Sequence, residues 1–285
     1  MELSYFPGCT LKTRARNFED SAIAAMSVLG VNLVELPRWN CCGTVYSLAD
    51  DDLVHHIAPV RNLIRVQEQG SNRLVTLCAF CYNTLKRADI LMKNNPESRD
   101  TLNRFMDEEI DYDGQVEVVH LLQVLRDDLG WEAIAGKVIK PLDGLKVVPY
   151  YGCTLTRPEG AAIDRVERPV VLQNMLKTIG ATVIDFPLAT ECCGAFEIVN
   201  NPDSVKERTH TILNMATGLG AEAIVVSCPL CSHNLGQVQT GIPIIYFTQL
   251  LALALGVEPE RCGFDLNFGN TEDVLCEKGL LPGRT

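Results

Sequence analysis

Two stretches decide the fold: VTLCAFCYNTL at residues 75–85 and VVSCPLCSHNL at residues 225–235. Each opens on β-branched and apolar residues, reaches a cysteine, and changes to a helical pattern that begins with a Cys-x-x-Cys pair. They lie 150 residues apart, so the chain carries one unit twice.

The repeat continues on both sides. LGVNLVELP at residues 29–37 matches IGATVIDFP at residues 179–187, again at an offset of 150. A Cys-Cys-Gly triplet follows each, at Cys41-Cys42-Gly43 and Cys192-Cys193-Gly194, and a single cysteine precedes each, at Cys9 and Cys153. VVHLLQVL around His120 resembles IIYFTQLL around Tyr246 at an offset of 126, so the first copy contains an insertion. The acidic, polar residues 94–114 are the expected insertion, read as a solvated surface excursion.

Short β-rich runs alternate with helical patterns in each copy, which predicts parallel sheets. Strands are expected at residues 3–6, 32–36, 74–77 and 117–120, then at 146–150, 182–186, 223–227 and 243–246. Helices are expected at 17–29, 53–69, 169–179, 204–218 and 248–255. The fold class is α/β: two tandem repeats, each a small parallel β-sheet flanked by helices, related by a pseudo-two-fold axis. The boundary falls in PLDG, residues 141–144, giving domains at 1–143 and 144–257 and a tail at 258–285.

Composition narrows the function. Nearly half the 285 residues are apolar, so a large core is available. The formal net charge of −11 argues against nucleic acid as a partner. No apolar run is long enough to span a membrane, and MELSYFPGC lacks the basic and apolar regions of an export signal. The simplest reading is a cytoplasmic protein. Of its twelve cysteines, the two Cys-Cys and two Cys-x-x-Cys pairs suit metal ligation in a reducing compartment better than disulfides.

The cysteines converge. Cys9, Cys78, Cys153 and Cys228 each follow an expected strand, and the Cys-Cys pairs sit in the loop after the second strand of each copy. Ligands of open parallel sheets bind beyond the carboxyl ends of the strands. Each Cys-x-x-Cys also opens a helix, whose N–H groups and dipole favour negative charge. Four thiolates complete a cubane cluster or a structural zinc site, and five are one too many for either. The fifth is a free reactive thiol, or the site holds a cluster of unusual shape. Zinc in one or both halves is the other metal reading.

The full pattern resembles the CCG-domain family, whose motif is one cysteine, a gap in the thirties, Cys-Cys-Gly, a second gap, then Cys-x-x-Cys. Two motifs in a chain of this length resemble the B subunits of heterodisulfide reductases, over roughly residues 1–256. The resemblance implies two non-cubane [4Fe-4S] clusters. Cys9, Cys41, Cys42, Cys78 and Cys81 would hold one, and Cys153, Cys192, Cys193, Cys228 and Cys231 the other. It implies a disulfide oxidoreductase that cleaves a small-molecule disulfide between the clusters. The expected partners are a ferredoxin-like iron–sulfur subunit and a flavin-containing subunit of an electron-bifurcating complex. Gly43 stands where methanogen members carry proline, which argues against the coenzyme M–coenzyme B disulfide as substrate.

Several side chains carry two readings each. Lys12, Arg14, Arg16 and Arg157 follow the first cysteine of each motif and either guide an acidic substrate or are ordinary loop residues. His120 and Tyr246 either line the inter-cluster cavity and supply a proton, or pack in the core. His233 either bonds a cluster sulfide or packs in a first helical turn, while His55 and His56 read as helix surface. Cys262 and Cys276 have no partner in the repeat and read as non-ligands. Two rivals stand beside the enzyme: an electron relay without a substrate of its own, and a zinc-stapled scaffold.

Overall fold

The computed structural model describes residues 1–44, 52–238 and 241–283. Its architecture is α/β, with two four-stranded, fully parallel sheets. The first sheet comprises β1 (Glu2–Phe6), β2 (Asn32–Glu35), β3 (Arg73–Thr76) and β4 (Glu117–His120), ordered β2-β1-β3-β4. The second comprises β5 (Lys146–Tyr150), β6 (Thr182–Val183), β7 (Ala223–Val226) and β8 (Ile244–Tyr246), ordered β6-β5-β7-β8. All four residues of β7 and three of the four in β3 are buried, which is why these strands read as unbroken apolar runs.

The helices of the first half are α1 (Arg16–Val28), α2 (Ile57–Glu68), α3 (Ala79–Asn94), α4 (Pro96–Phe105), the one-turn α5 (Leu121–Gln123) and α6 (Trp131–Ala135). A 3-10 turn, Leu53–His56, precedes α2 inside the span expected as one helix, and a π-helical stretch, Val124–Leu129, follows α5. The second half contains α7 (Val171–Thr178), α8 (Pro202–Gly218), α9 (Pro229–Gly236), α10 (Phe247–Ala254), α11 (Pro259–Cys262) and α12 (Thr271–Glu277).

Each sheet reverses its winding beside its first strand, since the chain passes from β1 to β2 on one side and then to β3 on the other. That reversal opens a crevice at the carboxyl ends of β1 and β3, and another at those of β5 and β7. The two halves also interlock. Helix α1 packs on α10, and α7 packs on α5 and α6. Ser21 Oγ meets Thr248 Oγ1 at 2.7 Å in the first of these contacts.

Three expectations change. The sixth strand stops at Val183 instead of reaching residue 186. Ile184 N still donates to Val147 O, but the chain then turns, with Ala189 N on Phe186 O and Tyr151 N on Ala189 O. That turn carries the following cysteine pair to the end of β5. The insertion is more than a solvated excursion. It contains α4, capped by Asn95, and it buries Leu102, Met106 and Tyr112. Tyr112 donates to Asp89 at 3.3 Å, and Glu109 pairs with Arg61 and Arg65. Nor does the chain end in a loose tail. Asn267 accepts from Asn17 at 2.6 Å and from Gln249 at 2.8 Å, and donates to the Ile244 carbonyl at 3.1 Å. A polar network satisfied on every side binds residues 258–283 to both halves.

Candidate functional site: two facing clusters of thiols

The local backbone explains how five thiols reach each crevice. Gly8 and Gly152 follow the central strands with positive φ of 75° and 64°. A Cβ on Gly8 would stand 2.9 Å from Cys81 Sγ, and one on Gly152 would stand 2.9 Å from Cys231 Sγ. Only glycine admits both the backbone conformation and the sulfur. Cys78 and Cys228 occupy the N-cap positions of α3 and α9, and Cys81 and Cys231 lie in the first turns.

The sulfurs meet in pairs, at 3.9 Å for Cys9 and Cys41, 3.5 Å for Cys42 and Cys81, and 3.6 Å for Cys193 and Cys231. Cys153 and Cys192 are also neighbours, each thiol shifting the other's ionisation. Among the described residues, no three His, Cys, Asp or Glu side chains close around one point as a single ion requires. Cys42, Cys78, Cys81, Cys193, Cys228 and Cys231 are buried, Cys153 and Cys192 are half-buried, and Cys9 and Cys41 are exposed. Each site is therefore sealed at its helix start and open at its first cysteine.

The charges divide between neighbours. Hydrogen bonds from Cys228 and Cys81 hold the Cys78 thiol well below its usual range, helped by N–H groups of Cys81 and Phe80. Those from Cys41 and Cys81 do the same for Cys42. Cys192 is pushed down to about 6, chiefly by the Cys153 thiol, with Gly194 N–H and the Arg208 guanidinium assisting. Beside these, Cys9, Cys81, Cys153 and Cys231 are pushed up, first by bonding to the neighbouring thiols of Cys41, Cys42, Cys192 and Cys193 in turn. Burial does most to raise Cys228. Thiols so crowded cannot all ionise without positive charge among them. Soft sulfur donors, helix-start N–H groups and a glycine cradle suit an iron–sulfur cluster. Ser227 Oγ and Asn83 Oδ1, beside the two helix starts, are buried without a hydrogen-bond partner.

The two sites face each other. Cys78 and Cys228 come close across the halves, near enough for each thiol to shift the other's ionisation, and Ala79 N donates to Ser227 O beside them at 3.3 Å. The rings of Phe80 and Phe196 pack at 5.1 Å on the same side-to-side seam. Asn83 crosses it as well, donating to the carbonyls of Thr154 at 2.9 Å and Arg157 at 2.7 Å.

The other expected residues separate. His120 is fully buried, with Nε2 on the Leu77 carbonyl at 2.7 Å and Nδ1 accepting from Leu122 N at 3.2 Å. Burial pushes its pKa down to about 4, so the ring is neutral at pH 7 and holds backbone rather than donating a proton to substrate. Tyr246 stacks on Phe18 at 4.4 Å and bonds to Ser232, within electrostatic range of Cys228, Cys78 and Cys231. Lys12 is held by Glu19 at 2.8 Å and Glu35 at 2.6 Å, and Arg157 donates to the Thr190 carbonyl at 2.8 Å. Both are engaged within the fold, whereas Arg14 and Arg16 are exposed. His233 is exposed with its ring against Phe268, and His56, expected on the surface, is buried. Cys262 and Cys276 bond to the backbone carbonyls of Glu258 and Pro282.

Sequence reading missed Asn83, Asn234 and Arg208. Asn234 donates to the Cys193 carbonyl at 3.1 Å, and Arg208 to the Cys192 carbonyl at 3.4 Å. Asn83 and Asn234 carried a signal, since amides so close behind a Cys-x-x-Cys pair fall on the first buried turns. Arg208 carried none, because its position depends on how α8 lies against the cysteine loop.

The model of the cysteine-rich CCG domain matches this chain twice, at residues 3–86 and 147–236. The chain is 32% identical to the 8-methylmenaquinol:fumarate reductase membrane anchor subunit of Wolinella succinogenes, over 93% of this chain and 96% of that one. It is 30% identical to the B subunit of the ferredoxin/F(420)H(2)-dependent CoB-CoM heterodisulfide reductase of Methanosarcina acetivorans, over 93% of each. A protein of Archaeoglobus profundus, named for its likeness to the same heterodisulfide reductase component, is 28% identical over 90% of this chain and 91% of its own length. A hypothetical protein from Helicobacter pylori shares the fold, with a TM-score of 0.74 and 15% identity over 94% of this chain and 52% of that longer one. The chain belongs to the cysteine-rich CCG-domain family, carries that domain twice, and resembles B subunits of heterodisulfide reductases along nearly its whole length.

Proposed function

We propose that this chain is the iron–sulfur component at which a heterodisulfide-reductase-like complex splits a low-molecular-weight disulfide. One observation carries the reading: two thiol sites built alike face each other where Cys78 meets Cys228. The half-reaction is RS–SR′ + 2 e⁻ + 2 H⁺ → RSH + R′SH. Cys9, Cys41, Cys42, Cys78 and Cys81 would hold one cluster, and Cys153, Cys192, Cys193, Cys228 and Cys231 the other. Five donors exceed the four of a cubane, which favours a non-cubane [4Fe-4S] form. When bound, each cluster supplies one of the two electrons. The chain itself holds the sites in opposition through Asn83 and the Ala79–Ser227 bond. Phe80 and Phe196 keep the seam apolar.

The partners of this reading are a ferredoxin-like iron–sulfur subunit that delivers electrons and a flavin subunit that feeds it. Its location is the cytoplasm. Among the described residues no helix is long and apolar enough to cross a membrane. On this reading the chain divides into a first domain at residues 1–143 and a second at 144–257, with residues 258–285 as a C-terminal tail.

A relay without its own substrate is the second reading, favoured by the relative named for fumarate reduction. Reduced protein is mixed anaerobically with a panel of low-molecular-weight disulfides while the cluster spectrum is followed. Oxidation by at least one disulfide, with thiol released in twofold yield, is the expected result. Indifference to the whole panel favours the relay, and zinc in place of iron in the purified protein overturns both readings.

A further inference from the structure

A groove of about 320 Å³ lies beside the second thiol site. One wall is a single face of α8, made by Ser204, Glu207, Arg208, Thr211 and Ile212 at helical spacing. The other is the loop that leads into Cys192, with Leu188 and Glu191. Arg208 joins groove to site, because its Nη1 donates to the Cys192 carbonyl at 3.4 Å. Its nearest ion-pair partner, Glu191, is 3.9 Å away, and both side chains are about half exposed, at 50% and 52%. So long and so wet a pair leaves most of the guanidinium's donors available.

Among the described residues, the first half has no arginine at the matching position. Helices α2 and α8 end alike, on Gly70 and Gly220 with positive φ, which aligns them at an offset of 150 and sets Ala58 opposite Arg208. Nearby in the first half, Arg61 is held by Glu109 of the insertion at 2.7 Å. The two sites therefore differ in charge at their mouths. The groove's size matches one arm of a small disulfide. Its lining combines one guanidinium, two carboxylates, two hydroxyls and an apolar floor, a set complementary to a carboxylate and an ammonium held together.

We infer that this groove is a specificity subsite for an amino-acid-type, zwitterionic end of the thiol released at the second site, with Arg208 on its carboxylate and Glu207 on its ammonium. The inference rests on the disulfide-cleaving reading above. It requires no electron transfer, so binding can be measured apart from turnover. The unreactive thioether S-methyl-L-cysteine is titrated calorimetrically into the iron-loaded protein. Saturable binding is expected, weakened about tenfold or more in Arg208→Gln and also weakened in Glu207→Gln. Both substitutions are on the exposed face of α8, and an unchanged far-UV circular dichroism spectrum and urea midpoint check that each variant is folded. Absence of binding, or binding indifferent to Arg208→Gln, overturns the subsite. Tighter binding of (methylthio)acetate, which lacks the ammonium, overturns its zwitterionic character. Binding of the thioether by a protein that no disulfide oxidises retires the catalytic reading and leaves the subsite standing. Disulfide cleavage that ignores Arg208 does the reverse.

Discussion

Cys78 and Cys228 approach each other across the two halves of the molecule, each shifting the other's ionisation and each at the N-cap of the helix that follows its strand. Both helix starts are therefore fixed against one another as well as against their own sheets. Replacing either residue touches both sites. Cys78→Ser should lower the iron bound by the first half and shift the spectrum of the cluster retained by the second. Cys228→Ser should give the mirror result. Iron analysis with electron paramagnetic resonance reads both effects, and a shift confined to the mutated half would contradict the coupling.

Gly8 and Gly152 test the cradle. Alanine at either position forces a side chain into a left-handed conformation and brings its Cβ to 2.9 Å from a ligand sulfur. The backbone strain alone costs about 1–2 kcal/mol. Gly8→Ala should displace Cys81 and deplete iron from the first site, and Gly152→Ala should deplete the second. Iron counts per chain and urea unfolding check the two consequences separately.

His120 predicts an acid limb in stability. Its folded pKa is pushed down by burial from 6.5 to about 4, so between these values the unfolded chain binds a proton that the folded chain refuses. Stability from this group is complete above about pH 6.5 and falls by about 3 kcal/mol as the pH drops to about 4. His120→Gln should be less stable at pH 7 by about 1–3 kcal/mol, because the Leu77 carbonyl and Leu122 N–H lose well-placed partners. It should also show a flatter pH dependence over that interval. Urea unfolding at a series of pH values compares the two proteins, and parallel curves would refute the assignment.

Much of this protein is legible in its residues alone. Repeated cysteines at strand ends identify the two crevices, because a strand followed by Cys-x-x-Cys and a helix is a local pattern. The fourth strand is read to the residue in the first half, at Glu117–His120, since burial on both faces leaves the unbroken apolar pair Val118 and Val119 after Glu117. The sixth strand is read too long, because the turn that ends it is driven by hydrogen bonds to Ala189 and Tyr151 rather than by its own composition. The final segment reads as a tail because amides such as Asn267 look polar in sequence. Contact with Asn17, 250 residues away, and with Gln249 ties that half-buried amide into the fold.

A doubled α/β unit with five thiols at each crevice follows from the order of residues, because strand periodicity and motif spacing are properties of neighbours along the chain. What surrounds those thiols follows from the three-dimensional packing. It brings Cys78 to Cys228, engages Lys12 and Arg157 within the fold, keeps His120 neutral, and leaves Arg208 at the mouth of the second site. Each of those outcomes turns on desolvation or on a partner distant in sequence, and neither is written in the spacing of residues.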